Sequence, residues 1–337
     1  MLPDGRRLGA HLQLVPGGLV KAAERAHEIG ARALQIFGDN PTAWRRRAEP
    51  PKDQPAFRDR LRELDIWPLA IHASYLVNLA GRGDFHERSV EVLAHDLQSA
   101  LGFSATFVNV HAGSHRGAGV QAGTSQLAEG VARVLAPLRD IDGAPILVIE
   151  NSAGGGDTMG TTVEELAAIA DAIAARDIGG DEVGFCIDAA HAWGAGYRFS
   201  EPDEVDAFVD RFDELIGLDR LRMIHLNDSR SGLGSRTDRH EHIGAGQIGV
   251  EGLRRLLVQP RLGSVAYYLE TPGMDEGYDA VNMARALALA DGGPLDRLPP
   301  EAFELRRRRA AAESRTDEPE TASSPPADRP RTAATRA

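Results

Sequence analysis

The sequence contains a single cysteine and no hydrophobic run long enough to cross a membrane. One cysteine excludes an internal disulfide framework and a cysteine-rich zinc module, and a membrane-spanning helix needs about 20 apolar residues. Residues 1–18 also lack the apolar segment that precedes a signal-peptide cleavage site. With 42% hydrophobic and 26% charged residues, the composition is that of a globular protein. We therefore expect a cytoplasmic enzyme without a membrane partner.

Positive charge is also scarce, since 38 Lys and Arg stand against 50 Asp and Glu, a formal net charge of −12. Over the whole chain this balance argues against a nucleic-acid partner, because phosphate backbones are bound by basic surfaces. Residues 301–337 contribute little to it, with 8 Arg against 7 acids and almost nothing apolar beyond Ala. Such a segment cannot bury enough surface to fold. We predict one folded domain over 1–300 and a disordered tail rich in Arg, Ala, Pro and Ser over 301–337.

Short apolar, β-branched runs alternate with longer amphipathic segments along the folded part. The predicted strands are 8–14, 33–37, 68–72, 106–111, 145–150, 182–188, 221–226 and 264–270. The predicted helices between them include 18–29, 57–64, 85–101, 121–138, 162–175 and 203–215. Eight strand–helix units predict an α/β fold of parallel strands closed into a single (β/α)8 TIM barrel. A doubly wound open sheet is the alternative.

Polar side chains cluster at the C-terminal ends of the predicted strands, and in a parallel barrel all these ends meet at one rim. They comprise five imidazoles and four carboxylates: His72, His111, Glu150, Asp188, His191, His225, Asp238, His240 and Glu270. A lone residue of this kind more often caps a helix or binds a loop. Four carboxylates in one cleft, however, repel each other unless cations neutralise them. Nitrogen and oxygen ligands without sulfur favour zinc, with manganese or iron as substitutes.

At these residues the sequence resembles the endonuclease IV family, which consists of zinc-dependent apurinic/apyrimidinic endonucleases built on a (β/α)8 barrel. The motifs follow the family order over about residues 8–290 and are Gly9-Ala10-His11, His72-Ala73-Ser74-Tyr75, His111-Ala112-Gly113-Ser114-His115, Glu150-Asn151-Ser152, Asp188-Ala189-Ala190-His191, His225-Leu226-Asn227-Asp228, Asp238-Arg239-His240 and Leu269-Glu270-Thr271-Pro272. One departure is Ala112, where the family has Pro.

The resemblance implies three zinc ions per chain, with Mn²⁺ as a substitute. His72 and His111 hold the first ion, and Glu150 bridges it to the second. The other ligands divide between the second ion (Asp188, His225 and Glu270) and the third (His191, Asp238 and His240). Because Glu150 and Glu270 would also orient the attacking water, the resemblance makes them the catalytic residues.

The family's reaction is hydrolysis of the phosphodiester on the 5′ side of an abasic site in double-stranded DNA, leaving a 3′-hydroxyl and a 5′-deoxyribose phosphate. The resemblance therefore implies a DNA-repair endonuclease that acts as a monomer. Divalent ions on the rim form a local cationic site, and such a site can bind phosphate on an acidic body. The net charge of the whole chain is thus not decisive against DNA.

The family recognises the lesion by inserting an Arg from the loop after the second strand and a Tyr from the loop after the third. Tyr75 corresponds to the inserted Tyr, but Thr42 and Ala43 stand where Arg and Gln are expected. Further DNA contacts are predicted at Asn40, Arg45, Asn227 and Arg239. For Asn227, a strand-end residue that caps a loop is an equal alternative. For the run of arginines that begins at Arg45, a solvated basic turn is an equal alternative.

Two other functions remain open at this point. A metal-dependent TIM-barrel sugar isomerase or epimerase also gathers Glu, Asp and His around metal, but the set of His191, Asp238 and His240 has no role in such an enzyme. The second alternative function is that of a non-catalytic protein that binds DNA lesions. The intact carboxylates argue against it, because a binder gains nothing from groups that repel phosphate.

Overall fold

The computed structural model describes residues 2, 5–14, 18–273 and 276–304. Ten strands occur in this part of the chain: β1 (Leu8–His11), β2 (Ala33–Phe37), β3 (Leu69–His72), β4 (Phe107–His111), β5 (Ile146–Glu150), β6 (Val183–Asp188), β7 (Leu221–Leu226), β8 (Asp228–Ser229), β9 (His240–Glu241) and β10 (Ala266–Leu269). Strands β1–β7 and β10 form a closed parallel barrel in chain order, with β1 pairing with β10. The predicted TIM barrel is confirmed.

Helices on the outside of the barrel follow the predicted amphipathic segments. They are α1 (Leu19–Glu28), α2 (Gln54–Glu63), α3 (Asp84–Phe103), α4 (Val120–Leu135), α5 (Val163–Ala174), α6 (Ala189–Ala195), α7 (Pro202–Leu215), α8 (Gly249–Val258) and α9 (Tyr278–Ala290). All six helices predicted above are present, with ends that agree within three residues. No helix among the described residues is long and apolar enough to cross a bilayer.

The first predicted strand is too long, because β1 ends at His11 and not at residue 14. Leu12 N–H still donates to Gln35 O at 2.9 Å, but Gln13 and Leu14 are exposed. The chain has passed the rim of the barrel at this point, and apolar character alone did not reveal where the pairing stops. A separate antiparallel hairpin, β8–β9, follows β7 and was not predicted.

One layer of side chains fills the inside of the barrel. It contains Ala33, Ala70, Phe107, Val148, Cys186, Met223, Ala266 and Tyr268, and it is distinct from the larger core between the strands and the helices. Because side chains alternate along a strand, the residue two positions further on faces the same interior, one level closer to the rim. That next level holds Gln35, His72, Asn109, Glu150, Asp188, His225 and Glu270. The polar residues therefore rest on a packed apolar floor.

The described chain divides into two units after Arg297, close to the predicted boundary at residue 300. In the second unit, Pro300–Phe303 form a short 3-10 helix. The predicted disordered tail lies outside the described residues from residue 305 onward, so that part of the domain assignment stays a prediction.

Candidate metal centre

The C-terminal ends of six barrel strands, together with the helix after β6 and the hairpin segment after β7, bring the nine candidate ligands together. His72, His111, Glu150 and Asp188 are the last residues of their strands, and His225 is the second-last residue of β7. The parallel register places His111 beside Glu150 and Asp188 beside His225. Glu270 follows β10 directly, whereas the short helix α6, the loop after β8 and the strand β9 carry His191, Asp238 and His240, respectively. The convergence expected from the strand ends is present.

Three groups of side chains have ligand atoms that all lie within 4.8 Å of one another. The groups are His72, His111 and Glu150; Glu150, Asp188 and His225; and Asp188, His191 and His240. Two further carboxylates border them, with Asp238 Oδ2 3.4 Å from His191 Nε2 and Glu270 Oε2 3.5 Å from His225 Nδ1. Because Glu150 and Asp188 each belong to two groups, the three groups form one connected centre.

Glu150 lies in the middle of this centre, and each of its oxygens faces two imidazoles. Oε2 is 3.7 Å from His72 Nε2 and 3.6 Å from His111 Nε2. Oε1 is 3.2 Å from His191 Nδ1 and 3.4 Å from His225 Nδ1. The carboxyl group is buried. This geometry is the one a bridging carboxylate requires, with one oxygen for each of two cations.

Backbone carbonyl oxygens fix the orientation of two imidazoles, those of His72 and His191. The Nδ1 atom of His72 donates to Ala73 O at 2.7 Å, and that of His191 donates to Asn151 O at 3.0 Å. Each bond leaves the other ring nitrogen, with its lone pair, facing the carboxylates. His225 Nδ1 is buried and has no hydrogen-bond partner among the described residues. Lone pairs facing carboxylates repel unless a cation lies between them, so this donor set fits divalent metal ions.

The pKa values of Glu150 and His240 are shifted by the oppositely charged groups that surround them in the centre. Burial opposes ionisation of Glu150, yet the neighbouring His225 and His111 hold the pKa of its carboxyl well below the usual range. Burial also opposes protonation of His240, but the carboxylate of Asp188 and a hydrogen bond to Asp238 raise its pKa to about 9. The raised pKa of His240 favours a proton on this imidazole beside the carboxylates, whereas burial lowers the pKa of His111. Metal ions would take over the positive charge of His240 when its proton leaves.

Three carboxylates of the centre each accept a hydrogen bond from a buried side-chain amide. Asn109 Nδ2 donates to Glu150 Oε2, Asn227 Nδ2 donates to Asp188 Oδ2, and Gln35 Nε2 donates to Glu270 Oε1, all at 2.6 Å. Gln35 and Asn109 were not among the site residues predicted from the sequence. Their signal in the sequence is a polar residue on the inward-facing positions of an otherwise apolar barrel strand.

Asn227, predicted as a DNA contact, is fully buried. Its Oδ1 accepts from Ala190 N at 2.8 Å, and its Nδ2 donates to Asp188. Both ends of the amide are therefore engaged inside the protein. The observed role of Asn227 is to hold a candidate ligand in place, and a direct contact with phosphate stays an untested prediction.

Tyr75 lies beside the centre and is 54% exposed. Its ring packs alongside His111, with centroids 6.2 Å apart, and meets the edge of Phe37 at 5.1 Å. Pro41 O accepts hydrogen bonds from the Tyr75 N–H and the Ser74 hydroxyl. The tip of the loop after β2 is thus tied to the base of Tyr75, which places both predicted insertion elements on one side of the centre.

The loop after β2 uses several of its polar groups internally. Asn40 Oδ1 accepts from the Thr42 N–H and hydroxyl, both at 3.0 Å, and so closes the turn. Arg46 folds back to donate to Asn40 O and Ala43 O. Arg45 is exposed, as are Thr42 and, in the loop after β8, Arg239. Arg45 and Arg239 can therefore reach a ligand, whereas the Asn40 side chain already shapes the turn.

A cleft of about 520 Å³ opens from the centre between the loops that follow β3, β4, β5 and β8. Its wall includes Tyr75, His191 and Asp238 together with two arginines, Arg116 and Arg236. The guanidinium of Arg116 lies over the ring of Phe85, 4.8 Å from its centroid. The cleft therefore combines exposed positive charge and aromatic surface next to the candidate metal ligands, which are groups that bind phosphates and bases.

Similarity to known proteins extends over most of the chain. A family described as "Xylose isomerase-like TIM barrel" matches residues 23–292. The chain is 39% identical over 279 residues to "Endonuclease 4" of one strain of Thermus thermophilus, covering 82% of this chain and 96% of that protein. The crystal structure of endonuclease IV from another strain of Thermus thermophilus is similar with a TM-score of 0.73 and 38% identity, covering 85% of this chain and 100% of that one.

The barrel also resembles that of a D-tagatose 3-epimerase-like protein, with a TM-score of 0.59 and 18% identity over 90% of this chain and 99% of that one. At this level of identity, the likeness shows a shared fold alone.

Proposed function

Since the chain belongs to the endonuclease IV family and is a DNA-repair endonuclease, we propose that it hydrolyses the phosphodiester 5′ to abasic sites in duplex DNA with three zinc ions. The observation that carries the proposal is the connected centre, in which Glu150 and Asp188 are each shared by two of three ligand groups. A centre of this kind can place one cation on each side of a phosphate. The proposed products are a 3′-hydroxyl and a 5′-deoxyribose phosphate.

The residues of the centre divide the work by position. When bound, divalent ions supply Lewis-acid stabilisation of phosphoryl oxygens and an activated water nucleophile. The side chain of Glu150 would hold two ions at a fixed separation, because its two oxygens face different pairs of imidazoles. Glu270, whose Oε2 faces His225, would orient the attacking water at the edge of the group. Neither role requires a covalent bond between the protein and the DNA.

Substrate recognition is proposed to depend on Tyr75. A planar ring can occupy the space left by a missing base, and this ring is exposed beside the centre. Arg116 and Arg236 line the cleft at the centre, Arg45 and Arg239 are exposed on the loops after β2 and β8, and all four can bind backbone phosphates. Because the chain carries a formal net charge of −12, we expect weak affinity for undamaged duplex. A monomeric state and a cytoplasmic location remain predictions from the sequence.

A duplex with one abasic site tests the proposal directly. The purified protein with zinc should cut only the strand that carries the lesion and leave a 3′-hydroxyl that a DNA polymerase can extend. Chelation should abolish the cut, and added Zn²⁺, or Mn²⁺ in its place, should restore it. An undamaged duplex of the same sequence is the control. If the zinc-loaded protein leaves the lesion duplex whole, or binds it without cutting it, the proposal is wrong; interconversion of ketoses would instead support the isomerase alternative.

The loop after β2 provides a prediction about binding. Thr42 is exposed at the turn next to Tyr75, where a long basic side chain could reach the gap in the DNA. We expect Thr42→Arg to tighten binding to an abasic duplex by about tenfold, the effect of roughly 1.4 kcal/mol, with little change in single-turnover rate. Fluorescence anisotropy with lesion and undamaged duplexes measures the effect.

The matched control for Thr42→Arg is Ser125→Arg, which adds the same positive charge at an exposed position of α4, outside this turn. An equal gain of Thr42→Arg on both duplexes would indicate a general electrostatic effect, and unchanged affinity would show that this turn does not reach the lesion.

A further inference from the structure

We propose that Gln35, which is not one of the nine candidate ligands, is a positioning residue that fixes two ligands of one metal ion, Glu270 and His225. This inference rests on the proposed function, because it concerns the same metal centre. Gln35 lies on β2, directly above Ala33 of the apolar floor, and is completely buried. A buried amide in a barrel interior must have its hydrogen bonds satisfied, and both of its ends are engaged by candidate ligands.

The hydrogen bond to Glu270 determines which way the amide faces. An ionised carboxylate only accepts hydrogen bonds, so the atom 2.6 Å from Glu270 Oε1 must be the amide nitrogen, Nε2. The oxygen of Gln35 then faces His225, with Oε1 3.1 Å from His225 Nε2. An amide oxygen has no hydrogen to donate, so His225 Nε2 must carry the proton of this bond.

This assignment determines the metal-binding atom of His225. In a neutral imidazole with its proton on Nε2, the lone pair is on Nδ1. His225 Nδ1 faces Glu150 Oε1 at 3.4 Å and Glu270 Oε2 at 3.5 Å, and it has no hydrogen-bond partner among the described residues. Gln35 therefore selects the imidazole form in which the lone pair points at the carboxylates, where a cation would lie.

The side-chain amide of Gln35 also orients the carboxylate of Glu270. Glu270 Oε1 accepts from Gln35 and also lies 2.8 Å from His11 Nδ1, so this oxygen is held on the side away from the centre. The second oxygen, Oε2, is left to face His225 Nδ1. One uncharged side chain thus orients an oxygen and a nitrogen toward the same point. An arginine in its place would add a positive charge that competes with the metal ion.

Substitution of Gln35 by methionine tests the inference, because methionine has a similar length and can make neither hydrogen bond. Partners that orient metal ligands typically contribute 10–100-fold to metal affinity. We expect Gln35→Met to lose one zinc ion at a free zinc concentration about 10–100-fold higher than the wild type does, while the other ions are retained. Equilibrium dialysis against graded chelator with elemental analysis measures this, and circular dichroism confirms the fold.

The matched control is Gln54→Met, which replaces another buried glutamine in α2, away from the centre. It should retain zinc like the wild type. For Gln35→Met, we expect kcat to fall with KM for lesion DNA nearly unchanged, because Gln35 is buried and cannot touch DNA. Gln35→Met with the zinc retention of the wild type would overturn the inference.

A second measurement on the wild-type protein does not depend on any variant folding. With ¹⁵N-labelled histidine, long-range NMR correlations in the zinc-loaded protein should show His225 protonated on Nε2 and bound to metal through Nδ1. Protonation on Nδ1 would overturn the inference even if the protein cuts DNA. Failure of the wild-type protein to bind zinc or to cut would instead count against the proposed function, so the two failures are distinguishable.

Discussion

Glu150→Gln is expected to lower the rate of abasic-site cleavage by about 10³-fold or more while the barrel still folds. Each oxygen of Glu150 faces two imidazoles, so an amide nitrogen in place of one oxygen removes the ligand atom that would bind one of the two cations. Metal ions supply several kcal/mol of transition-state stabilisation, and a loss of about 4 kcal/mol corresponds to ~10³ in rate. Single-turnover cleavage of a lesion duplex, with the zinc content of the same sample, measures the loss.

The control for this variant is Glu182→Gln. Glu182 directly precedes β6, at the end of the barrel opposite the centre, and pairs with Arg139 at 3.5 Å. A substitution in such a surface pair changes stability by about 0.5 kcal/mol or less, and we expect wild-type cleavage. Glu150→Gln with full zinc content and wild-type cleavage would contradict the bridging role of Glu150.

Asp228→Ala is expected to produce the largest loss of stability, about 3–5 kcal/mol in the free energy of unfolding. The buried carboxylate accepts from the backbone N–H groups of Ser229, Gly246, Ile248 and Gly249 at 2.8–3.3 Å. Burial raises the pKa of Asp228, and these four bonds oppose that shift. Alanine would leave the donors without their acceptor inside the protein. Urea denaturation monitored by circular dichroism measures the difference.

Two further variants define what Asp228→Ala measures. Asp228→Asn keeps one accepting oxygen and should lose less stability. Asp142→Ala removes an exposed carboxylate and should change the free energy of unfolding by about 0.5 kcal/mol or less. Because Asp228 ties the start of the β8–β9 hairpin to the start of α8, Asp228→Ala should also weaken zinc binding at His240. Stability equal to that of Asp142→Ala would show that the four bonds contribute little.

Much of the fold and the convergence of the candidate ligands could be predicted, because both follow from alternation along the strands. In β5 and β6 the apolar runs end on Glu150 and Asp188, and parallel strands bring such ends to a single rim. The same logic located His72 and His225. Strand ends are local signals, visible as an apolar run followed by a polar residue, so they need no knowledge of distant contacts.

The residues that the sequence did not reveal are those whose roles depend on distant partners. Gln35 is separated from Glu270 by most of the chain. Nothing in the local pattern of β2 indicates that its partner follows β10, beyond the pairing of β1 with β10 that closes the barrel. The burial of Asn227 also depends on distant partners. Its position near a strand end is compatible with an exposed contact, but the side chain is buried and its amide is bonded to Ala190 and Asp188.

The short helix α6 illustrates another feature that could not be predicted from the sequence. Asp188 ends β6 and at the same time caps α6, because its Oδ1 accepts from the His191 N–H at 2.7 Å. A strand followed by a helix without any loop leaves no turn signal between them. His191 was identified by its motif, but its placement on a helix was not predicted. Asp188 and His191 are three residues apart in the sequence. The capping hydrogen bond explains this spacing, because it holds both residues at the start of α6.

Closure of the barrel has a thermodynamic consequence for the centre. Glu270 at the end of the last strand meets His225 and, through His11 and Gln35, the first two strands, across the seam where β1 pairs with β10. Each ligand group combines residues from strands and loops that are far apart in the sequence, so its members meet only when the barrel strands are paired, and an unfolded chain does not hold them together. The free energy of metal binding is therefore gained only by the folded barrel, and it increases the free energy of unfolding. Metal binding would therefore stabilise the whole folded barrel, in addition to its role in binding the substrate.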